Sequence, residues 1–177
     1  MPDCTIEVVD YDPEWPERFE RERERIAPVV GNLVLRIEHV GSTSVPGLAA
    51  KPIVDICPVV PDMETAWRVS DRLDEHGWPL CDERGDRPWV EHTRTDEDGQ
   101  EYNVHVRPRE AAVENYLLLR EYLRDHPDHR DEYAAVKRRA AERYPQDVGE
   151  YTRAKTDVIE RAKEKARAAG YAAEIDL

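Results

Sequence analysis

A loop of small, hydroxylated residues is the part of this sequence whose composition most directly suggests chemistry: Gly41-Ser42-Thr43-Ser44-Val45-Pro46-Gly47-Leu48-Ala49-Ala50-Lys51. A glycine opening such a loop lets an anion come close to backbone N–H groups, because no Cβ stands in the way. Ser42, Thr43 and Ser44 add hydroxyl donors, and Lys51 adds a countercharge. The spacing is not that of a Walker A loop, which needs Gly-Lys-Ser/Thr after four variable residues. By itself the loop also reads as an ordinary Gly/Pro-rich turn whose hydroxyls cap the backbone. Asp55 changes the balance. It interrupts the apolar run 53–60, and an unpaired buried carboxylate is costly. Either it holds Mg²⁺, a hard ion that bridges carboxylates to phosphates, or it is hydrogen-bonded to the loop for the sake of the fold.

Further candidates surround this pair. His39, just before the turn, and His105, on a later apolar stretch, are the histidines that can act as phosphate donors or as an acid/base pair. Glu38 and Glu91 are the acids able to supply a second metal ligand. Their plainer readings are an Arg ion pair for Glu38 and a solvent-facing position for Glu91. Arg107 can reach an anion, as can Arg36, Lys137 and Lys155 from other elements. Trp15, Trp78 and Trp89 read as core or rim aromatics.

The elements that must position these residues follow from the apolar pattern. Residues 6–9 form a short apolar run suited to a sheet edge, and Asp12-Pro13 is a helix-start signal. Trp15, Phe19, Ile26, Val29 and Val30 make an intermittent helical stripe ended by Gly31-Asn32. Residues 33–40 and 53–60 read as strands flanking the loop. Asp62 caps a helix carrying Ala66, Trp67, Val69 and Leu73 up to Gly77. Strands are expected at 78–81, at Trp89-Val90 and at 102–106, the last two joined by the turn Asp96-Glu97-Asp98-Gly99. Beyond Pro108, prolines 127 and 145 divide a helical texture into 110–125, 128–144 and 147–169. The expected class is α+β, a mixed sheet with flanking helices and three closing helices. The expected division is an α/β core over 1–108 and a helical segment over 109–177 packed on it.

Composition narrows the partners. A net charge of −13 over 177 residues repels nucleic-acid backbones, whose affinity rests on Lys and Arg neutralising phosphates. General nucleic-acid binding is therefore not expected. Only five of the 26 basic residues are lysines. An acidic, lysine-poor surface fits a high-salt cytoplasm, where screening removes self-repulsion, and equally fits acidic drift. Cys4, Cys57 and Cys81 lack the pairing or spacing of a disulfide framework or zinc site. No stretch has the apolar length of a membrane span, and residues 1–10 lack a signal-peptide pattern, so the expectation is a cytoplasmic protein without a membrane partner.

The run Ile37-Glu38-His39-Val40-Gly41-Ser42-Thr43-Ser44-Val45-Pro46-Gly47-Leu48-Ala49-Ala50-Lys51-Pro52-Ile53-Val54-Asp55-Ile56 resembles the signature of the GrpB family. The resemblance extends to Val104-His105-Val106, Leu119-Arg120-Glu121-Tyr122-Leu123-Arg124, Tyr133 to Lys137, Tyr144-Pro145, Tyr151 and Lys155. It implies a nucleotidyltransferase-like fold, also appended to some bacterial dephospho-CoA kinases. In that wider superfamily a Gly-Ser turn holds nucleotide phosphates, while an Asp-x-Asp/Glu pair and often a third carboxylate bind two metals. Gly41, Ser42 and Asp55 match the first elements. Cys57 stands at the second carboxylate position and is a soft ligand ill suited to Mg²⁺, and Asn103 stands where relatives often carry a further His.

Two functional expectations result. One is a protein that binds a nucleotide or other phosphorylated small molecule at Gly41, Ser42, Thr43, Ser44, Lys51 and Arg107. Its Asp55, aided by Glu38, holds Mg²⁺ for nucleotidyl or phosphoryl transfer, with His105 or His39 moving a proton. The other is a non-catalytic ligand-sensing or protein-interaction module that keeps the loop for its fold.

Overall fold

A computed structural model describes residues 5–81 and 90–177. Its centre is a four-stranded mixed sheet in the order β1-β2-β4-β3, built from β1 (Arg36–Val40), β2 (Ile53–Val60), β3 (Val90–Thr95) and β4 (Glu101–Pro108). β2 runs antiparallel to β1 and parallel to β4, and β3 closes the other side antiparallel to β4. The parallel step in the middle requires a crossover, and the chain between β2 and β4 supplies it with helix α2 (Met63–Glu75) and strand β3.

Alternation along the strands sends two different sets of residues to the two faces. Val54, Ile56, Val104 and Val106 join Trp15, Phe19 and Ile26 of α1 (Trp15–Val30) and Ala66, Val69 and Leu73 of α2 in the main core. The opposite face carries Val40, Cys57 and Val59, which pack on Val113 and Leu117 of α3 (Ala111–Asp125). Asp55 and His105 share this second face, because Asp55 pairs with Asn103 across β2 and β4 and His105 follows Asn103 by two residues.

The loop after β1 is buried at Thr43 to Val45 and Leu48 to Ala50, with Pro46 and Gly47 exposed between them. Val45 and Leu48 sink into a cluster with Leu118, Tyr122 and Leu123 of α3, Tyr133 of α4 (Pro127–Arg143) and Val158 of α5 (Val148–Ala168). These anchors fix the polar residues between them against the sheet. Among the described residues no helix is long and apolar enough to cross a membrane.

The elements expected from the sequence match these in kind, with local corrections. Asp62 does cap α2, accepting from the Thr65 N–H at 2.8 Å. Trp67 does not anchor that helix: it is 47% exposed, because the packed positions 66, 69, 70 and 73 follow the helical repeat and leave 67 on the solvent side. Asp12 accepts from the Glu14 N–H at 2.9 Å, and the helix itself starts at Trp15. β1 begins only at Arg36, since residues 31–33 form a 3-10 turn and Leu35 is exposed. The expected strands at 6–9 and 78–81 reduce to single bridges, Val9 with Ala50 and Leu80 with His92. Cys4 and Trp89 lie outside the described residues.

Candidate functional site

Gly41 is required by geometry twice over. Its φ of +72° lies in the region that disfavours side chains, and a Cβ there would stand 2.4 Å from Asp55 Oδ2. The backbone after β1 therefore rests directly on the Asp55 carboxylate. Ser44 closes the turn, its N–H reaching the Gly41 carbonyl at 3.1 Å and its hydroxyl donating to the same oxygen. Three arginines then hold loop carbonyls from outside: Arg120 the His39 carbonyl at 2.9 Å, Arg124 that of Ser44 at 2.8 Å and Arg130 that of Pro46 at 3.3 Å. The closing helices thus fix the loop's shape as much as the sheet does.

Asp55 ends a chain of charges laid across three strands. Arg107 Nη2 donates to Glu91 Oε1 at 2.7 Å, the same oxygen lies 3.4 Å from His105 Nδ1, and His105 Nε2 lies 2.9 Å from Asp55 Oδ1. An imidazole facing a carboxylate oxygen from each nitrogen carries both protons. Burial alone would lower the His105 pKa, but Asp55 and Glu91 outweigh it and raise it to about 9. Glu91 is held down at about 2, since His105 and Arg107 overcome its own desolvation. Glu91 is therefore buried and ion-paired, which corrects the solvent-facing expectation. Arg107, also buried, spends its guanidinium on Glu91 and on the Val90 and Val106 carbonyls, and it does not line the cavity described next.

On the other side of Asp55, β2, the loop, α4 and α5 enclose a cavity of about 240 Å³. Ser42, Thr43, Lys51 and Asp55 line it together with Lys137 and Lys155. Lys137 is 2% exposed, and its Nζ has no hydrogen-bond partner among the described residues. It stands 4.5 Å from the Tyr133 ring centroid, and Lys155 stands 4.2 Å from that of Tyr151. Burial, followed by the neighbouring charge of Lys155, lowers Lys137 to about 6. Burial and then Lys51 lower Lys155 to about 8. Burial pushes the Tyr133 phenol up to about 12 against its hydrogen bond with Ser42.

A second cleft, of about 350 Å³, shares the walls Gly41, Ser42 and Tyr133 with the first. Its remaining lining is largely apolar, with Tyr116, Leu119 and Leu123 of α3 and Ile159 of α5, and Lys163 is also part of its wall. The loop and Tyr133 therefore separate a cationic chamber from an apolar one.

Of the residues singled out in the sequence, Gly41, Ser42, Thr43, Lys51 and Asp55 come together at the cavity. Ser44 braces the turn from behind, and His105 reaches the site only through Asp55. His39 points to the opposite sheet face, stacked on Phe19 with centroids 4.7 Å apart, and its Nε2 lies 2.9 Å from Thr43 Oγ1. Burial lowers its pKa to about 4, so it is a neutral brace at pH 7. Glu38 lies 2.8 Å from Arg120 and 3.3 Å from Arg36 and is not part of the cavity wall. Tyr133 and Tyr151 were not singled out as cavity walls. Their signal is a repeated aromatic-x-x-x-Lys spacing, Tyr133 with Lys137 and Tyr151 with Lys155, which puts ring and ammonium on one helix face.

The donor set does not fit a two-metal clamp, which needs ligands for both ions. Among the described residues no group of three or more His, Cys, Asp or Glu side chains could hold a metal ion. Asp55 Oδ1 is engaged by His105, Glu38 by two arginines, and Cys57 is a fully buried thiol raised to about 12 by desolvation.

The fold is that of the nucleotidyltransferases: the Cid1 poly(U) polymerase in a form with Mg and 3′-dATP bound superposes with a TM-score of 0.56 over 83% of this chain and 49% of its own, at 16% identity. The chain belongs to the GrpB family, whose model, described as GrpB protein, matches residues 5–165. The crystal structure of GrpB from Enterococcus faecalis superposes with a TM-score of 0.80 over 93% of this chain and 99% of its own, at 27% identity. A UPF0157 protein of Streptomyces coelicolor is 44% identical over 93% of this chain and 86% of its own length. A dephospho-CoA kinase of Mycolicibacterium paratuberculosis is 31% identical over 85% of this chain, which spans 43% of that enzyme.

Proposed function

We propose that this protein binds a nucleotide or another phosphorylated small molecule, its phosphates in the lysine-lined cavity and its remaining group in the adjoining apolar cleft. One observation carries the reading: three of the five lysines in a chain of net charge −13 converge on a single cavity beside the Gly41-Ser42 turn. Compact ammonium charges suit phosphate as point charges, and ordinary surface pairing would have left them apart. A cleft of a few hundred Å³ on the other side of the shared walls Gly41, Ser42 and Tyr133 is of the size of small-molecule sites. Structural neighbours of the same fold have been solved with a UTP analogue and with MgGTP bound, and this supports a nucleotide as the first ligand to test.

In a transfer reaction, Ser42 and the Gly41 backbone would hold the phosphates and the lysines would neutralise charge developing on them. Asp55 would be the one carboxylate that the described residues bring to the reacting centre. The geometry around Asp55 also supports a second reading, a non-catalytic sensing module. With Oδ1 tied to His105 and Cys57 in place of another acid, the described residues would cradle a phosphate without supplying the ligands of a metal-driven reaction.

Calorimetric titration with the nucleoside triphosphates and with dephospho-coenzyme A tests both readings. Saturable binding that weakens in Ser42→Ala supports a phosphate site, and accompanying turnover separates transferase from sensor. Absence of binding by every phosphorylated compound would remove the phosphate reading.

A further inference from the structure

We infer that this site holds phosphate without a divalent metal, the ammonium groups of Lys51, Lys137 and Lys155 and the His105 imidazolium together supplying the positive charge that a metal centre would supply. The inference rests on the phosphate reading above and specifies how the same cavity works.

Three observations carry it. The carboxylate that a divalent ion needs is already neutralised from within the protein: His105 stands 2.9 Å from Asp55 Oδ1, and its other nitrogen is held towards Glu91, itself fixed by Arg107 at 2.7 Å. The backbone closes on the other oxygen, since Gly41 approaches Asp55 Oδ2 so nearly that a Cβ would lie 2.4 Å from it. Mg²⁺ binds oxygen ligands in a near-ideal octahedron and keeps its waters, whereas Asp55, its side chain 26% exposed at the cavity, brings only its own carboxylate, with Oδ1 already facing His105. The second acid that could assist, Glu38, is paired with Arg120 and Arg36.

The cavity itself is built the opposite way round from a metal site. Carboxylates gather where a cation binds, whereas here three lysines face one carboxylate that already has a cationic partner. Lys137 Nζ is buried with no hydrogen-bond partner among the described residues, and leaving such a group unsatisfied is costly. A dianionic phosphate repairs that deficit, and a divalent cation would deepen it through repulsion from the neighbouring ammonium groups. The ligand class is therefore a terminal phosphate or pyrophosphate group carrying at least two negative charges.

Inorganic pyrophosphate titrated by calorimetry, once in EDTA and once in excess Mg²⁺, decides the matter. Binding in EDTA at least as tight as in magnesium is expected. Binding that tightens by about tenfold or more, roughly 1.4 kcal/mol, on adding magnesium would overturn the inference while leaving the phosphate reading standing. Lack of binding in both conditions would overturn the two together. Mn²⁺ alone, followed by electron paramagnetic resonance on the unaltered protein, is an independent measurement: no saturable uptake is expected, and uptake abolished by Asp55→Asn would contradict the inference.

Discussion

Two groups of buried charge meet at Asp55, and they are built to opposite rules. Across the sheet, Arg107, Glu91, His105 and Asp55 alternate in sign and sit within 2.7 to 3.4 Å of their neighbours. Across the cavity, Lys51, Lys137 and Lys155 are groups of one kind that charge together only around an anion, burial and Lys155 lowering Lys137 to about 6, and Lys137 Nζ has no hydrogen-bond partner among the described residues. In the first arrangement each charge faces one of opposite sign within the fold, and the charges stabilise one another. The second is complete only when something anionic enters. Partnered charge thus marks architecture, and like charge gathered at a cost marks a site.

Mutations on the two sides should separate accordingly. Glu91→Ala leaves His105 and Arg107 facing each other without their shared carboxylate, and breaking a buried pair in this way costs about 3 to 5 kcal/mol. Denaturant unfolding should show that loss as a lower midpoint. Lys137→Met should do the reverse, removing an unsatisfied buried amine while keeping the volume. Its unfolding midpoint is expected to be unchanged or higher, while pyrophosphate affinity falls by about tenfold or more, on the order of one strong charge-assisted hydrogen bond. Equal destabilisation by the two substitutions would erase the distinction.

Gly41 is the hinge between the two regions, and Gly41→Ala sharpens the comparison. The left-handed backbone costs about 1 to 2 kcal/mol for a residue with a Cβ, and the new methyl group must displace Asp55. Stability and pyrophosphate binding should therefore fall together in this variant, as they do not in Lys137→Met. Thr43→Val, which removes the bond to His39 behind the loop, should cost about 1 kcal/mol in the same unfolding measurement.

Acidity separates the regions as well. His105 is raised to about 9, so its contribution to stability is complete below the ordinary histidine value near 6.5 and is lost as pH rises through 9. Glu91 is lowered to about 2, so its contribution is present above the ordinary carboxylate range and is lost as pH falls through 2. Unfolding midpoints should therefore hold steady only between about pH 4.5 and 6.5 and decline gradually on either side. Ligand affinity follows other groups: with Lys137 and Lys155 lowered to about 6 and 8, a phosphate must bind together with protons. Affinity is expected to weaken steadily from pH 7 to pH 9, with proton uptake visible as a buffer-dependent heat of binding.

The sequence makes one of these regions easier to read than the other. Gly41, Ser42 and Asp55 stand out because a glycine-hydroxyl turn and an acid inside an apolar run are both locally unusual. The two strands around them, the cap at Asp62 and the three closing helices follow from periodicity, caps and prolines. The ion-pair chain does not, because Glu91 and His105 are 14 positions apart and only the β3 to β4 register makes them neighbours. Lys137 and Lys155 were visible as cations but not as a group, since their convergence depends on how α4 and α5 fold back over the loop. Trp67 shows the opposite failure: its apolar ring places it with the stripe of the α2 helix in the sequence, though its helical position faces solvent.

The central claim is that the lysine cavity is the phosphate site and that Lys137 is buried there for the ligand's sake. Pyrophosphate titrated into the unaltered protein and into Lys137→Met side by side addresses it most directly. The account predicts saturable binding by the first, at least about tenfold weaker binding by the second, and no loss of stability between them. Pyrophosphate binding of equal strength in both, or in neither, would contradict it.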